Sequence, residues 1–190
     1  MRVKLQAAPW TSVPPTTELE EACAILSGGV WRDAAIAFYA QRSARIKRGL
    51  SAPKGIQAEL NRTIESRFKA AGWDAMDGRF LKDSTWVRVT FRHQMSLGSD
   101  ILDAARLHVK DGLAQVAILA AEGSFLRIIT PNDAAVLVSF EKLKVAVAEL
   151  DGVIQVPLMI GALSPISDLP ADIAEELAKV RMRDRTVPST

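Results

Sequence analysis

The residues with the most chemical character lie between Arg32 and Arg92. This stretch holds 13 Lys or Arg against 6 Asp or Glu, a net of +7, while the rest of the chain holds 11 against 16, a net of −5. Concentrated positive charge attracts polyanions even where the total charge is only +2. The bland alternative is a solvated helix face laced with Arg and Lys. Within the stretch, Thr85 to Phe91 alternates Trp86, Arg88 and Thr90 against Val87, Val89 and Phe91, so Arg88 and Thr90 share one face of a strand. Arg92 and His93 follow directly.

Other chemistries are poorly provided for. His93 and His108 are the two histidines and show no metal-ligand spacing. Cys23 is the single cysteine, so an internal disulfide framework and a cysteine-rich zinc site are excluded. It reads as a small buried hydrophobe. There is no Gly-x-Ser-x-Gly elbow and no glycine-rich phosphate loop after a strand. No apolar run reaches the roughly 18 residues of a membrane span, and Met1 to Pro9 lacks the apolar core of a signal peptide. The expectation is a soluble cytoplasmic protein. Its 190 residues, 48% hydrophobic, suffice for one folded domain.

The elements that must position these residues follow from periodicity and punctuation. Arg2 to Gln6 reads as a short strand and Pro9 to Thr16 as a loop. Thr17-Glu18-Leu19-Glu20 opens a helix ending at Gly28-Gly29, and a second runs from about Trp31 to Lys47 with Ile36, Tyr39 and Ala40 inward. Gly49 to Gly55 breaks the pattern. Ile56, Leu60, Ile64 and Phe68 recur every four residues up to Gly72, the clearest helix of the chain. After the strand Thr85 to Phe91, Ser99 caps a helix carrying Ile101, Leu102, Ala105, Leu107 and Val109, closed by Asp111-Gly112. Leu113 to Ala120 is then a strand that is apolar but for Gln115, and strand, helix, strand is a right-handed crossover between parallel strands.

Phe125 to Ile129 reads as a further strand paired as a hairpin. Thr130-Pro131-Asn132-Asp133 reads as the start of a helix to about Leu150. Val153 to Ile160 returns as a strand. A last helix begins at Ser167 to Pro170 and ends in Arg181, Arg183 and Arg185, with a loose tail from Thr186. Trp31, Trp73 and Trp86 read as core anchors, and Trp10 as an exposed contact or a plug over the core.

Gln57-Ala-Glu-Leu-Asn61, then Ile64 and Phe68, then Ala71-Gly72-Trp73, then Arg79-Phe-Leu-Lys-Asp83, then Trp86-Val-Arg-Val-Thr-Phe91, come in an order that resembles restriction endonucleases of the BglII and BamHI type. These stand within the larger group of PD-(D/E)XK nucleases. The resemblance covers roughly Gln57 to Leu163. It implies an α/β fold of three layers, restriction-endonuclease-like, with a mixed central sheet flanked by helices. On that reading residues 1–50 are an N-terminal helical part, 51–165 the nuclease-like core, and 166–190 a C-terminal helix and tail.

The chemistry of that family needs acids: an Asp, then a Glu with a Lys, Gln or Glu two positions on, holding Mg²⁺ against a phosphate. Aligning on Phe80 and Phe91 puts Arg79 at the Asp, Arg88 at the Glu and Thr90 at the Lys/Gln position. Two guanidinium groups repel a divalent cation and cannot become its ligands. They match phosphate oxygens directly instead. The resemblance therefore implies a duplex DNA-binding protein, in all expectation a homodimer, that has lost catalysis. Arg79, Lys82, Arg88, Thr90, Arg92 and His93 are its candidate phosphate contacts, and it has no metal site or cofactor.

Three alternatives stay open. A working endonuclease would need Mg²⁺ and relocated acids, with Glu59, Asp77 and Asp83 as candidates. A protein-interaction or assembly module would keep the fold and leave DNA alone. The third is purely structural, the arginines pairing with Asp74, Asp77 or Asp83 on an exposed strand face.

Overall fold

In the computed structural model, which describes residues 1–53, 55–166 and 169–175, the sheet runs through the whole chain. Six strands take part: β1 (Arg2–Ala7), β2 (Asp74–Met76), β3 (Arg79–Lys82), β4 (Thr85–Thr90), β5 (Gln115–Ala121) and β6 (Leu158–Ser164). Their spatial order is β1-β6-β5-β4-β3-β2. The pairs β4–β5 and β5–β6 are parallel, and β1–β6, β2–β3 and β3–β4 are antiparallel. The helices are α1 (Thr17–Ser27), α2 (Val30–Lys47), α3 (Gln57–Ala70), α4 (Leu97–Asp111), α5 (Gly123–Ile129) and α6 (Phe140–Glu149). The mixed, three-layer α/β architecture expected from the sequence is the one observed.

Period-2 alternation along β4 and β5 divides the core between the two faces of the sheet. Val87, Val89, Ala117 and Leu119 point toward α1, α2, α3 and α5, where Leu26, Trp31, Ile64, Phe68 and Phe125 bury them. Trp86, Val116, Ile118 and Ala120 point the other way, against Ile101 and Ala104 of α4 and Leu143 and Val147 of α6. Both central strands are buried along their whole length, as parallel strands covered on both faces must be. Gly161 of β6 is a position of close approach, since a Cβ there would lie 2.4 Å from Leu119 Cδ2.

Several expectations change. Phe125 to Ile129 is helix α5 and not a hairpin strand: both edges of β5 are already taken by β4 and β6, and Phe125, Leu126 and Ile129 are buried at helical spacing. No helix starts at Pro131. The chain turns until Leu137, where it bridges His93, and Val138 N donates to Arg92 O at 2.9 Å. Ser139 then caps α6, its hydroxyl accepting from Lys142 N. The last strand lies later than Val153 to Ile160, at Leu158–Ser164, in register with β1. Helix α4 begins at Leu97 after a short 3₁₀ turn, Gln94–Ser96, so Ser99 is within its first turn and is not its cap.

On α2 the inward stripe is Trp31, Ala34, Ala35 and Phe38; Ile36 is 41% exposed and Ala40 is exposed. Leu102 and Val109 of α4 are exposed too. Trp31, Trp73 and Trp86 are buried as expected, and Trp10 packs against the α4–α6 core with Nε1 donating to Val156 O at 2.9 Å. Residues 171–175 are helical; Arg181, Arg183, Arg185 and the tail expected beyond them lie outside the described residues. Among the described residues no helix is long and apolar enough to cross a membrane.

Candidate phosphate site at the end of β4

The turn Asp77-Gly78 joins β2 to β3 and sits on β4. Both residues take left-handed φ, 51° and 72°. Val89 N donates to Gly78 O at 2.9 Å, and a Cβ on Gly78 would come 2.7 Å from Val89 O. Only glycine lets the turn approach β4 this closely. Arg79 opens β3 directly opposite Arg88 of β4. Opposed residues of an antiparallel pair share a face, and here it is the α4 face, on which Trp86 also lies.

The two arginines meet different surroundings. Arg79 is exposed, makes no ion pair among the described residues, and lines a groove of about 190 Å³ with Asp74, Met76, Trp86, Asp103 and Arg106. Arg88 is 1% exposed. One of its terminal nitrogens donates to the carbonyl of Asp77, and Nε lies 3.3 Å from Oδ1 of Asp100, in the first turn of α4. Arg92 reaches the same oxygen, its terminal nitrogen donating at 3.3 Å, but its side chain is 48% exposed. A carboxylate thus lies between two guanidinium groups, and only the outer one meets solvent.

Burial pulls the Arg88 guanidinium below its ordinary pKa; Asp100 resists this and Arg92 adds to it. Burial likewise pushes the Asp100 carboxyl up against the opposing pull of Arg88 and Arg92. Desolvation outweighs attraction on both sides, the usual balance for a buried ion pair. Arg88 donates to Asp77 O and Asp100 Oδ1 accepts from Arg92, but Arg88 Nε is close to Asp100 without hydrogen-bond geometry, and Asp100 Oδ2 has no partner.

The other candidates divide by their end of the strand. Thr90 is buried, and its hydroxyl accepts from Arg92 N at 3.3 Å. His93 is exposed, with Nδ1 accepting from Met95 N. Lys82 stands at the opposite end of β3, across from Thr85. Its ammonium is bound to Glu21 of α1 at 2.7 and 3.0 Å and to Ala71 O at 3.3 Å, so it does not join the arginines. Asp83, in the left-handed turn between β3 and β4, is at that far end as well.

Glu59 is engaged by Arg62 of the same helix. The start of α3 is nonetheless tied to the end of β4, because Gln57 Nε2 donates to Phe91 O at 3.0 Å. Asp77 contributes its backbone carbonyl. Cys23 is only partly buried, with its thiol pushed up to about 11, chiefly by burial and then by Glu20, which leaves it a poor nucleophile. His108, half-buried, bonds Leu113 O through Nδ1 at 2.6 Å and closes α4.

The residue that sequence reasoning undervalued is Asp100. Spacing alone gives it no role, and the purely structural alternative pairs the arginines with Asp74, Asp77 or Asp83 instead. A usable signal was present: Asp100 lies on the same inward stripe as Leu97, Ile101 and Ala104. A carboxylate on a buried helix face needs a cation.

A divalent cation does not fit this donor set. Strand β4 carries no acid, and Asp100, the one buried carboxylate among the described residues, already faces two guanidinium groups. Among the described residues no three His, Cys, Asp or Glu side chains gather in one place. The end of β4 instead gathers three guanidinium groups, of which Arg79 and Arg92 are exposed and Arg88 is buried.

No protein-family model and no curated protein sequence matches the chain. Solved structures do. The restriction endonuclease BglII in complex with a DNA 16-mer superposes with a TM-score of 0.59 at 13% identity, over 88% of this chain and 78% of that one. Free BglII gives a TM-score of 0.50 at 14% identity, over 88% and 82%. At such identity the likeness establishes the fold: it is restriction-endonuclease-like.

Proposed function

We propose that this protein binds duplex DNA through the end of β4 and does not hydrolyse it by a metal-dependent route. The observation that carries the reading is Arg79 facing Arg88 across two strands, with Arg92 beyond them, on a strand that carries no acid and beside a buried Asp100 already shared by two guanidinium groups. The fold is shared with a nuclease that has been seen holding a DNA 16-mer, which supports duplex DNA as the polyanion. Arg79 and Arg92 are the phosphate contacts, since both are exposed and a guanidinium fork matches two phosphate oxygens. His93, exposed beside them, is a third. Arg88 and Thr90 are buried and act as supports. The resemblance to dimeric endonucleases makes a homodimer the expected form, with two such ends on one duplex.

The test is a gel-shift or anisotropy titration with a short duplex at low salt. Binding should be measurable, and Arg79→Ala and Arg92→Ala should each weaken it by about five- to tenfold, the size of a charge-assisted contact. No binding by the wild type at low salt sinks the reading. Incubation of plasmid with Mg²⁺ or Mn²⁺ should leave it unnicked; reproducible nicking that co-purifies with the protein would restore the endonuclease alternative.

A second reading has an observation of its own. Arg62, Arg67, Lys69, Lys82, Arg88 and Arg92 all face acids, which discharges much of the basic stretch. A protein-interaction module of this fold would show that pattern, and the same titration separates the two.

A further inference from the structure

We propose that Asp100 is a built-in anion that holds Arg92 away from DNA, so that a backbone phosphate must displace this carboxylate to engage the arginine. The proposal rests on the DNA-binding reading and names the residue that regulates its affinity. Asp100 uses one oxygen, Oδ1, for two guanidinium groups at 3.3 Å each. That is longer than the roughly 2.7–2.9 Å of a well-made charge-assisted bond. Its second oxygen is buried with no partner. The arrangement is poorly satisfied on the carboxylate side, and a phosphate offering two oxygens to the guanidinium fork outcompetes it.

Only one member of the cluster can move cheaply. Arg88 is 1% exposed and has a second anchor in the carbonyl of Asp77, and the Asp100 side chain is 4% exposed. Arg92 is 48% exposed, and among the described residues Asp100 is the only ion-pair partner of its side chain. If Arg92 swings outward, Asp100 stays neutralised by Arg88, so the buried pair survives the exchange. Arg88 is thus the resident counter-ion and Arg92 the exchangeable one. A binding group that is partly withdrawn in the free protein lowers apparent affinity by the fraction withdrawn.

A double-mutant cycle on duplex affinity tests this, using wild type, Asp100→Asn, Arg92→Ala and the double variant. Asp100→Asn should bind about three- to tenfold tighter at about 0.1 M salt, the range of partly exposed charge pairs. That gain should vanish in the Arg92→Ala background. A gain that persists there reports only the loss of one negative charge near DNA and overturns the proposal, as does no gain at all; in both cases wild-type binding leaves the DNA reading standing. If the wild type does not bind at low salt, the DNA reading falls and takes this proposal with it; wild-type binding at low salt with binding by Asp100→Asn alone at about 0.1 M salt supports the proposal. Because Asp100→Asn can destabilise the fold, the carboxyl ¹³C resonance of Asp100 is followed in the wild type as well. It should move on addition of duplex, and an unmoved signal under saturating duplex overturns the proposal.

Discussion

Arg88 and Asp100 are a buried pair whose members depend on each other. Removing one partner leaves an uncompensated buried charge, so Arg88→Ala should cost about 3–5 kcal/mol in urea unfolding. Replacing both by apolar residues, Arg88→Met with Asp100→Leu, should cost less than about 1 kcal/mol or even stabilise, since neither desolvation cost is then incurred. Equal losses for the single and double changes would contradict the pairing described. The pair was half legible in the sequence. Arg88 and Thr90 sharing a strand face followed from alternation, but whether that face met solvent or α4 did not, because exposure is a property of what packs above the strand. Where the structural alternative has an exposed face, Arg88 and Thr90 are buried, and the acid that faces Arg88 and Arg92 is Asp100 instead of Asp74, Asp77 or Asp83.

At the scale of elements, the site depends on a turn. The Asp77-Gly78 connection presses against β4 and offers its carbonyl to Arg88, and Gly78 alone fits there. Gly78→Ala combines a left-handed φ with a Cβ 2.7 Å from Val89 O, and should cost about 1–3 kcal/mol. In a chain of 190 residues that is a fall of roughly 3–10 °C in Tm. Gly98→Ala on α4, where the added Cβ meets nothing within 4 Å, serves as the control and should be neutral or stabilising by about 0.5–1 kcal/mol. A Tm for Gly78→Ala equal to that of the control would remove the turn from the site. Helices α1 to α4 were readable from period, although Ser99 is not the cap of α4 and α2 turns a different stripe inward. Helix α5 was not, since a seven-residue apolar segment carries the same composition as a buried strand. What decided it was competition, because β5 had no free edge left to pair.

For the whole molecule, the charge asymmetry makes a quantitative statement about salt. If Arg79 and Arg92 each neutralise one phosphate, log K should fall with log salt at a slope of about −0.9 per contact, and Arg79→Ala should make the slope shallower by about one unit. A homodimer doubles the wild-type slope, and light scattering coupled to gel filtration measures the mass independently. A slope unchanged by Arg79→Ala would place the DNA elsewhere on the surface.

The sequence by itself determined the early helices and the β4–β5 crossover, because hydrophobic period and helix punctuation are local, while the three-layer layout was implied by the resemblance. It also determined that Arg88 and Thr90 share one face of a strand that carries no acid, which needs only residue identity and alternation. Tertiary structure alone decided which charges remain free. Lys82 went to Glu21 on α1, Arg88 went into the core against Asp100, and Arg79 and Arg92 stayed at the surface. The physical reason is that a charge's function depends on its desolvation and its partner. Both are set by helices α1 and α4, which lie far from β4 in sequence or fold over it only after the crossover is made.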